Sequence, residues 1–103
     1  MQKFVYAAKI SDIPDPGKRV GELNEHSIAL FHVAGQFWAT DSLCTHECAP
    51  LGEGELDGFE IECPWHGARF DIRDGRALTL PAIRPLCVYA VKIDGVDVLV
   101  EIA

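Results

Sequence analysis

Short runs of alternating hydrophobic and polar residues extend along most of the chain, a pattern typical of half-buried β-strands. Runs such as FVYAAKI, ALFHVA and VDVLVEI are rich in β-branched and aromatic residues. No segment has the periodicity and end caps of an amphipathic helix. The pattern therefore predicts an all-β chain.

Gly-containing dipeptides separate these runs and predict four hairpins, because glycine tolerates the positive φ that tight turns require. The predicted turns are Gly35-Gln36, Asp57-Gly58, Asp74-Gly75 and Asp94-Gly95. They would join ALFHVA to FWATD, GEL to FEIEC, RFDI to ALTL, and CVYAVKI to VDVLVEI. FVYAAKI would open the chain and end at a loop, DIPDPGKR. Four hairpins favour an antiparallel β-sandwich or barrel as the base of the fold.

The chain length of 103 residues indicates a single domain, residues 1–103, with a small core. The net charge of −7 argues against nucleic acid as a partner. An acidic surface could steer docking to a basic protein partner, or it could serve solubility alone.

The amino-terminal sequence MQKFVYAAKI lacks the basic region, long apolar stretch and small-residue cleavage site of a secretory signal. The apolar runs have the length of strands and are too short to span a bilayer as helices. We therefore expect a cytoplasmic protein without membrane association.

Two short boxes carry the metal-binding chemistry: Cys44 and His46 in LCTHECAPL, and Cys63 and His66 in ECPWHGARF. Turn-forming proline and glycine flank both boxes, and sixteen residues separate His46 from Cys63. Two loops are thus predicted to close on one centre. They define a small cluster-binding subdomain at about residues 43–67, inserted into the β base.

The mixture of ligand types favours a two-iron, two-sulfide cluster. Thiolates are soft donors that suit iron–sulfur clusters, zinc or copper(I), and neutral imidazoles add no charge. Two imidazoles in place of two thiolates make the cluster less negative and raise its reduction potential. Zinc is the alternative, since two cysteines and two histidines are also a zinc composition. Zinc fingers group like residues, whereas each box here pairs one cysteine with one histidine.

The two boxes and their interval resemble those of Rieske [2Fe–2S] proteins, most closely the small soluble ferredoxins of bacterial ring-hydroxylating dioxygenase systems. The similarity runs from the opening strand through FWATDSLCTH and ECPWHGARFD to the final VLVEI. It implies the Rieske fold and one [2Fe–2S] cluster, with Cys44 and Cys63 on one iron and His46 and His66 on the other.

The resemblance also implies an electron carrier and not an enzyme. Such a ferredoxin takes single electrons from a flavin-containing, NAD(P)H-dependent reductase and delivers them to a terminal Rieske oxygenase, most simply as a monomer. A small Rieske-like subunit of a nitrite reductase or similar redox complex is the alternative. An oxygenase would need a second iron with two histidines and a carboxylate. Only His26 and His32 are left over, on or beside one short strand, and we expect both to be non-functional.

Two further expectations concern the cysteines outside the ligand set. Rieske proteins of respiratory complexes carry a disulfide between the two metal loops, but the second loop here has Pro64 and Trp65 at that place. Cys48 therefore has no matching partner, and we predict a reduction potential near the low end of the Rieske range, roughly −150 mV. Cys48 and Cys87 are predicted to be small buried hydrophobic residues.

Residues around the boxes suggest how the centre is enclosed. Trp65 could shield the cluster from water or anchor its loop. Apolar residues that flank the first box could present a docking face, namely Leu43, Pro50 and Leu51. Gly67 is expected to permit close backbone approach behind His66. The stretch LTLPAIRP could form a stiff third loop near the metal loops, or it could be an ordinary connection.

Overall fold

The computed structural model describes residues 3–43, 50–64, 67–79 and 85–102. These residues form β-strands and two short 3-10 helices, Ile10–Asp12 and Leu51–Glu53. The strands are β1 Lys3–Lys9, β2 Gly17–Leu23, β3 His26–Val33, β4 Gln36–Asp41, β5 Glu55–Asp57, β6 Glu60–Glu62, β7 Arg69–Asp71, β8 Val88–Tyr89, β9 Val91–Asp94 and β10 Asp97–Ile102. The predicted all-β class is confirmed. In the described part of the chain, no helix is long and apolar enough to cross a membrane.

The strands form three antiparallel sheets, with the orders β1-β10-β9, β2-β3-β4-β8 and β5-β6-β7. The first two sheets form the base of the fold. The third is a small sheet that lies between β4 and β8 in the sequence, within and just beyond the interval predicted to bind the cluster.

Three of the four predicted hairpins are present: β3–β4, β5–β6 and β9–β10. The fourth, RFDI paired with ALTL, is present as a short pairing and not as two full strands. Phe70 and Ala77 form an antiparallel bridge, the amide of Leu78 donates to the carbonyl of Arg69, and the amide of Asp71 donates to the carbonyl of Arg76. The turn after β7 is occupied by other contacts. The amide of Gly75 donates to the carbonyl of Asp71 at 2.7 Å, and the amide of Leu86 donates to the carbonyl of Gly75 at 2.7 Å. Leu86, from a distant part of the chain, therefore packs against the turn that joins these two segments.

The predicted loop DIPDPGKR ends too late, because β2 begins at Gly17 and pairs along its whole length with β3. The β2–β3 turn was not predicted at all. Its central residues, Asn24 and Glu25, have φ values of 48° and 72° without a glycine. Hairpin prediction from glycine-containing pairs could not detect such a turn.

The predicted strand CVYAVKI is divided between two sheets. Its first part, β8, pairs with β4, and its second part, β9, pairs with β10. The carbonyl of Ala90, between them, accepts a hydrogen bond from the amide of Glu101 at 2.9 Å. One stretch of chain thus crosses from one base sheet to the other and ties them together.

Strand β3 is buried on both faces, which joins the base to the small sheet. Ile28 and Leu30 belong to a core cluster with Val98 and Val100 of β10. The alternate residues Ala29, Phe31 and Val33 belong to a second cluster, which includes Leu51, Ile61, Cys63, Ala68 and Phe70. Successive strand residues point to opposite faces. The small sheet therefore packs on the face of β3 that the other base sheet leaves open.

Candidate metal centre

The first metal box lies in a loop whose two ends are held together. Leu43 and Pro50 form an antiparallel bridge, and the amide of Leu51 donates to the carbonyl of Ser42 at 2.8 Å. The hydroxyls of Ser42 and Ser27 are 2.5 Å apart, which ties this neck to β3. The predicted ligands Cys44 and His46, and also Cys48, lie outside the described residues.

The second box begins at a buried cysteine. Cys63 follows β6, is 1% exposed, and donates its amide hydrogen to the carbonyl of Ala68 at 2.6 Å. This bond closes a short loop that contains Trp65 and His66, both outside the described residues. Gly67 has a φ of 71°, a conformation that glycine adopts readily. The second loop is thus narrow at its neck, with the Cys63 thiol side chain in the protein interior.

The structure packs the chain leaving the first loop against the chain entering the second. Leu51 and Cys63 belong to the same buried cluster. Gly54 lies so close to β6 that a Cβ placed on it would be 1.8 Å from the carbonyl oxygen of Glu62. The first loop ends at this packed region and the second loop begins there, so the ligands of both loops could reach a common centre. The four-residue ligand set itself stays a prediction, since only Cys63 is described.

The donor chemistry of the described part fits a soft metal centre at this place. A cysteine thiolate favours iron–sulfur clusters, zinc or copper(I), and a buried position at a closed loop neck limits its contact with water. Among the described residues, no group of three or more His, Cys, Asp or Glu side chains is placed to hold a metal ion.

The segment LTLPAIRP is anchored next to the second loop. The amide of Leu78 donates to the carbonyl of Arg69 at 2.8 Å, and the amide of Arg69 donates to Thr79 Oγ1 at 2.9 Å. Residues 80–84 lie outside the described part, so a third loop beside the centre stays a prediction.

Charged residues cover the outer face of the small sheet. The Arg69 guanidinium lies 2.8 Å from a carboxylate oxygen of Glu62, 3.3 Å from Glu60 and 3.6 Å from Asp57. The hydrogen bond with Glu60 raises the pKa of Arg69. Sequence reasoning missed Arg69, although the alternating acids of ELDGFEIE beside ARF are a signal of a charged sheet face.

Two predictions about individual residues are wrong. Cys87 is exposed, not buried, and the neighbouring Asp41 carboxylate raises the pKa of its thiol. The buried position belongs to Leu86 instead. Leu51 is fully buried and cannot belong to a docking face, whereas Leu43 is 44% exposed. Cys87 forms no disulfide with any residue that the structure describes.

The structure also describes the surroundings of three other residues that the sequence analysis singled out, His26, His32 and Gly67. His32 Nδ1 is 2.8 Å from the carbonyl oxygen of Ile13, and its ring stacks on Phe37. His26 makes an edge contact with Tyr89. For Gly67, the nearest described atom to an added Cβ would be a Glu62 carboxylate oxygen at 4.0 Å. Among the described residues, no close contact requires a glycine at position 67. Its positive φ is therefore the reason for glycine there.

A buried carboxylate at the end of β7 gives a testable pH dependence. The Arg73 guanidinium binds both carboxylate oxygens of Asp71, at 3.0 and 2.8 Å, and these bonds lower the pKa of Asp71. A pKa that is lower in the folded state contributes stability above the unfolded-state pKa, and this contribution is lost as pH falls through the folded-state value.

We expect Arg73→Gln to raise the pKa of Asp71, so that acid unfolding begins at a higher pH than in the unmodified chain. Unfolding followed by circular dichroism from pH 7 down to pH 2 measures this shift. Arg19→Gln removes an exposed pair with Asp12 and should leave the acid transition in place. Superimposable acid transitions for Arg73→Gln and the unmodified chain would contradict the assigned role of the pair.

Comparison with known proteins identifies the fold family. The Rieske [2Fe–2S] domain family matches residues 3–92. The ferredoxin component of the naphthalene 1,2-dioxygenase/salicylate 5-hydroxylase systems of a Ralstonia species is 44% identical over 101 residues, which are 97% of this chain and 96% of the relative.

Two solved structures agree with this match. The ferredoxin of Sphingomonas yanoikuyae B1 superimposes with a TM-score of 0.92 at 31% identity, over 98% of this chain and 100% of the other. A chain in the complex of reduced oxygenase and oxidized ferredoxin of carbazole 1,9a-dioxygenase superimposes with a TM-score of 0.89 at 35% identity. The match covers 94% of this chain and 91% of the other. A β base that carries a small sheet and two closed loops is a Rieske-type architecture. The chain belongs to the Rieske [2Fe–2S] domain family, as the two boxes predicted.

Proposed function

We propose that this protein is the ferredoxin component of an aromatic-ring dioxygenase system. It accepts single electrons from a flavin-containing, NAD(P)H-dependent reductase and passes them to a terminal Rieske oxygenase. The observation that carries the proposal is the alignment with a dioxygenase ferredoxin component over 97% of this chain and 96% of the relative. The solved complex of a similar ferredoxin with its oxygenase supports the terminal partner.

We propose one [2Fe–2S] cluster, with Cys44 and Cys63 on one iron and His46 and His66 on the other. The family supports a cluster of this type. When bound, such a cluster takes up and releases one electron at a time. Burial of Cys63 and the bond between its amide and Ala68 support its role as a ligand, because they hold the thiol away from water in a fixed loop.

The surrounding residues would orient the two loops and keep water out. The paired hydroxyls of Ser42 and Ser27 fix the neck of the first loop, and Leu51 packs beneath it in the core. Leu43 is exposed at that neck and could contact a docking partner. We further propose a cytoplasmic monomer, since a shuttle must bind and leave two partners. Sedimentation velocity would test the oligomeric state.

The named relatives favour the carrier over a small subunit of a nitrite reductase, because they are ferredoxin components. Iron and sulfide analysis, combined with an electron paramagnetic resonance spectrum of the dithionite-reduced protein, tests the centre. We expect two irons and two sulfides per chain and a spectrum typical of mixed nitrogen and sulfur ligands. One zinc per chain and no iron would refute the proposal.

Replacing His66 with cysteine tests the nitrogen side of the ligand set. A thiolate adds a negative charge that an imidazole lacks, so we expect the midpoint potential to fall towards all-cysteine values, roughly −400 mV. Protein-film voltammetry measures the midpoint. His26→Cys is the matched control. His26 lies at the start of β3 and belongs to neither box, so this variant should keep the original midpoint potential. An unchanged midpoint in iron-loaded His66→Cys would remove His66 from the ligand set.

A further inference from the structure

Arg69 and Glu62 face each other across the neck of the second loop. They are directly paired residues of β7 and β6, and their charged groups are 2.8 Å apart. Glu62 immediately precedes Cys63, and Arg69 immediately follows Ala68. The ion pair therefore lies beside the bond from the Cys63 amide to the Ala68 carbonyl. One side-chain contact and one backbone contact close the same neck.

The acidic residues around Arg69 would repel one another without a cation between them. Glu55 pairs directly with Glu62, and Asp57 pairs directly with Glu60, on β5 and β6. Like charges directly opposite each other destabilise a strand pair. Arg69 makes ion pairs with Asp57, Glu60 and Glu62. A guanidinium suits this task because its fork of donors can serve several carboxylates at once.

The backbone of Arg69 joins a third segment to the same place. Its amide donates to Thr79 Oγ1, and its carbonyl accepts the amide hydrogen of Leu78. Arg69 thus connects β5, β6, β7 and residues 78–79. A residue with these contacts can hold the loop neck more firmly than the short strands alone, which have three residues each.

We propose that Arg69 is a positioning residue that clamps the neck of the second loop and so keeps Cys63 in place to hold the cluster. This inference rests on the proposed function, because it requires Cys63 to be a ligand. Arg69 acts in two separable ways. Its contacts hold the neck closed, and its charge offsets the carboxylates beside the centre.

Removing either partner of the pair separates these two effects. Arg69→Gln opens the clamp and deletes a positive charge, so iron release should accelerate and the midpoint potential should fall. Glu62→Gln opens the clamp but deletes a negative charge, so iron release should again accelerate while the midpoint rises. Arg69→Lys keeps the charge without the fork, so the midpoint should stay and release should be intermediate.

The experiment follows bleaching of the visible absorption after a ferrous chelator is added to the iron-loaded protein, alongside voltammetry of the same samples at low and high salt. We expect Arg69→Gln to release iron roughly fivefold faster, the scale of a partly exposed network of ion pairs. The shift in midpoint should shrink in high salt. Lys9→Gln is the control, because it removes one positive charge from an exposed pair with Asp97 on β1 and β10. It should change neither quantity.

The outcomes distinguish this inference from the function on which it rests. Release and midpoint equal to those of the unmodified protein in both Arg69→Gln and Glu62→Gln would refute the clamp and leave the ferredoxin proposal standing. If Arg69→Gln does not accumulate, Glu62→Gln decides alone, since Arg69 then still has Glu60 and Asp57 as partners. An unmodified protein without iron and sulfide would refute both proposals together.

Discussion

Cys63→Ala is expected to yield a folded chain that retains no [2Fe–2S] cluster and no visible absorption. Cys63 is 1% exposed and sits at the neck of a closed loop, so no water or external thiol can easily take its place. In the proposed ligand set, loss of one of the two thiolates would leave one iron without a full set of ligands. Because a bound metal centre stabilises the folded state, the variant should also unfold at a lower temperature than the loaded protein. Iron and sulfide analysis and thermal unfolding measure the two effects.

Cys87→Ala is the matched control for this experiment. Cys87 is exposed, and Asp41 raises the pKa of its thiol, which makes the reactive thiolate form less available. We expect this variant to retain iron, sulfide and midpoint potential at the levels of the unmodified protein. A full complement of cluster in Cys63→Ala, or its loss in Cys87→Ala, would contradict the ligand assignment.

Gly54→Ala is expected to lower the free energy of unfolding by about 1–3 kcal/mol, the usual cost of overpacking a tight contact. The added Cβ would lie 1.8 Å from the Glu62 carbonyl oxygen. Gly54 has a φ of −83°, so its backbone conformation suits any residue and the expected cost is steric. The clash pushes the chain leaving the first loop away from the strand entering the second. Iron release should therefore accelerate as well, which urea unfolding and chelator assays would measure.

Gly21→Ala separates this effect from a general cost of replacing glycine. An added Cβ at Gly21 would meet nothing within 4 Å, and Gly21 lies in β2. We expect stability equal to or slightly above that of the unmodified chain, because alanine reduces the freedom of the unfolded state. Equal stability of Gly54→Ala and Gly21→Ala would show that the two loops are not packed together in the way described.

Runs rich in β-branched and aromatic residues, with glycine at the turns between them, were sufficient to predict several strands. β3, β4, β9 and β10 were found in this way. This pattern did not predict β2, because the turn between β2 and β3 has Asn24 and Glu25 at positive φ in place of glycine. It predicted the return of ALTL onto RFDI but not how short that pairing is, nor that the amide of Leu86 bonds to Gly75 in the turn, a contact that no local pattern reveals. The Leu86 contact is long-range, whereas the β2–β3 turn is a local exception to the preference for glycine at positive φ.

For the candidate site, the sequence specified the donor types and their spacing, which is why the family could be predicted from two boxes. Cys63 is the member of the set whose surroundings the structure describes, and it is buried as a ligand should be. The exposure of Cys87 and the burial of Leu51 could not be predicted, since both depend on which neighbouring segments cover them. The contacts of Arg69 depend in turn on the register of β5, β6 and β7.

The sequence by itself determined the all-β class, the soft donors and the two loops that carry them, because strand periodicity, turn residues and ligand chemistry are local properties. The tertiary structure alone decided that β3 is covered on both faces, that the chain from Val88 to Asp94 serves two sheets, and that Gly54 presses against β6. These features arise from contacts between segments far apart in the sequence. Such contacts stabilise the protein only when folding has brought the segments together.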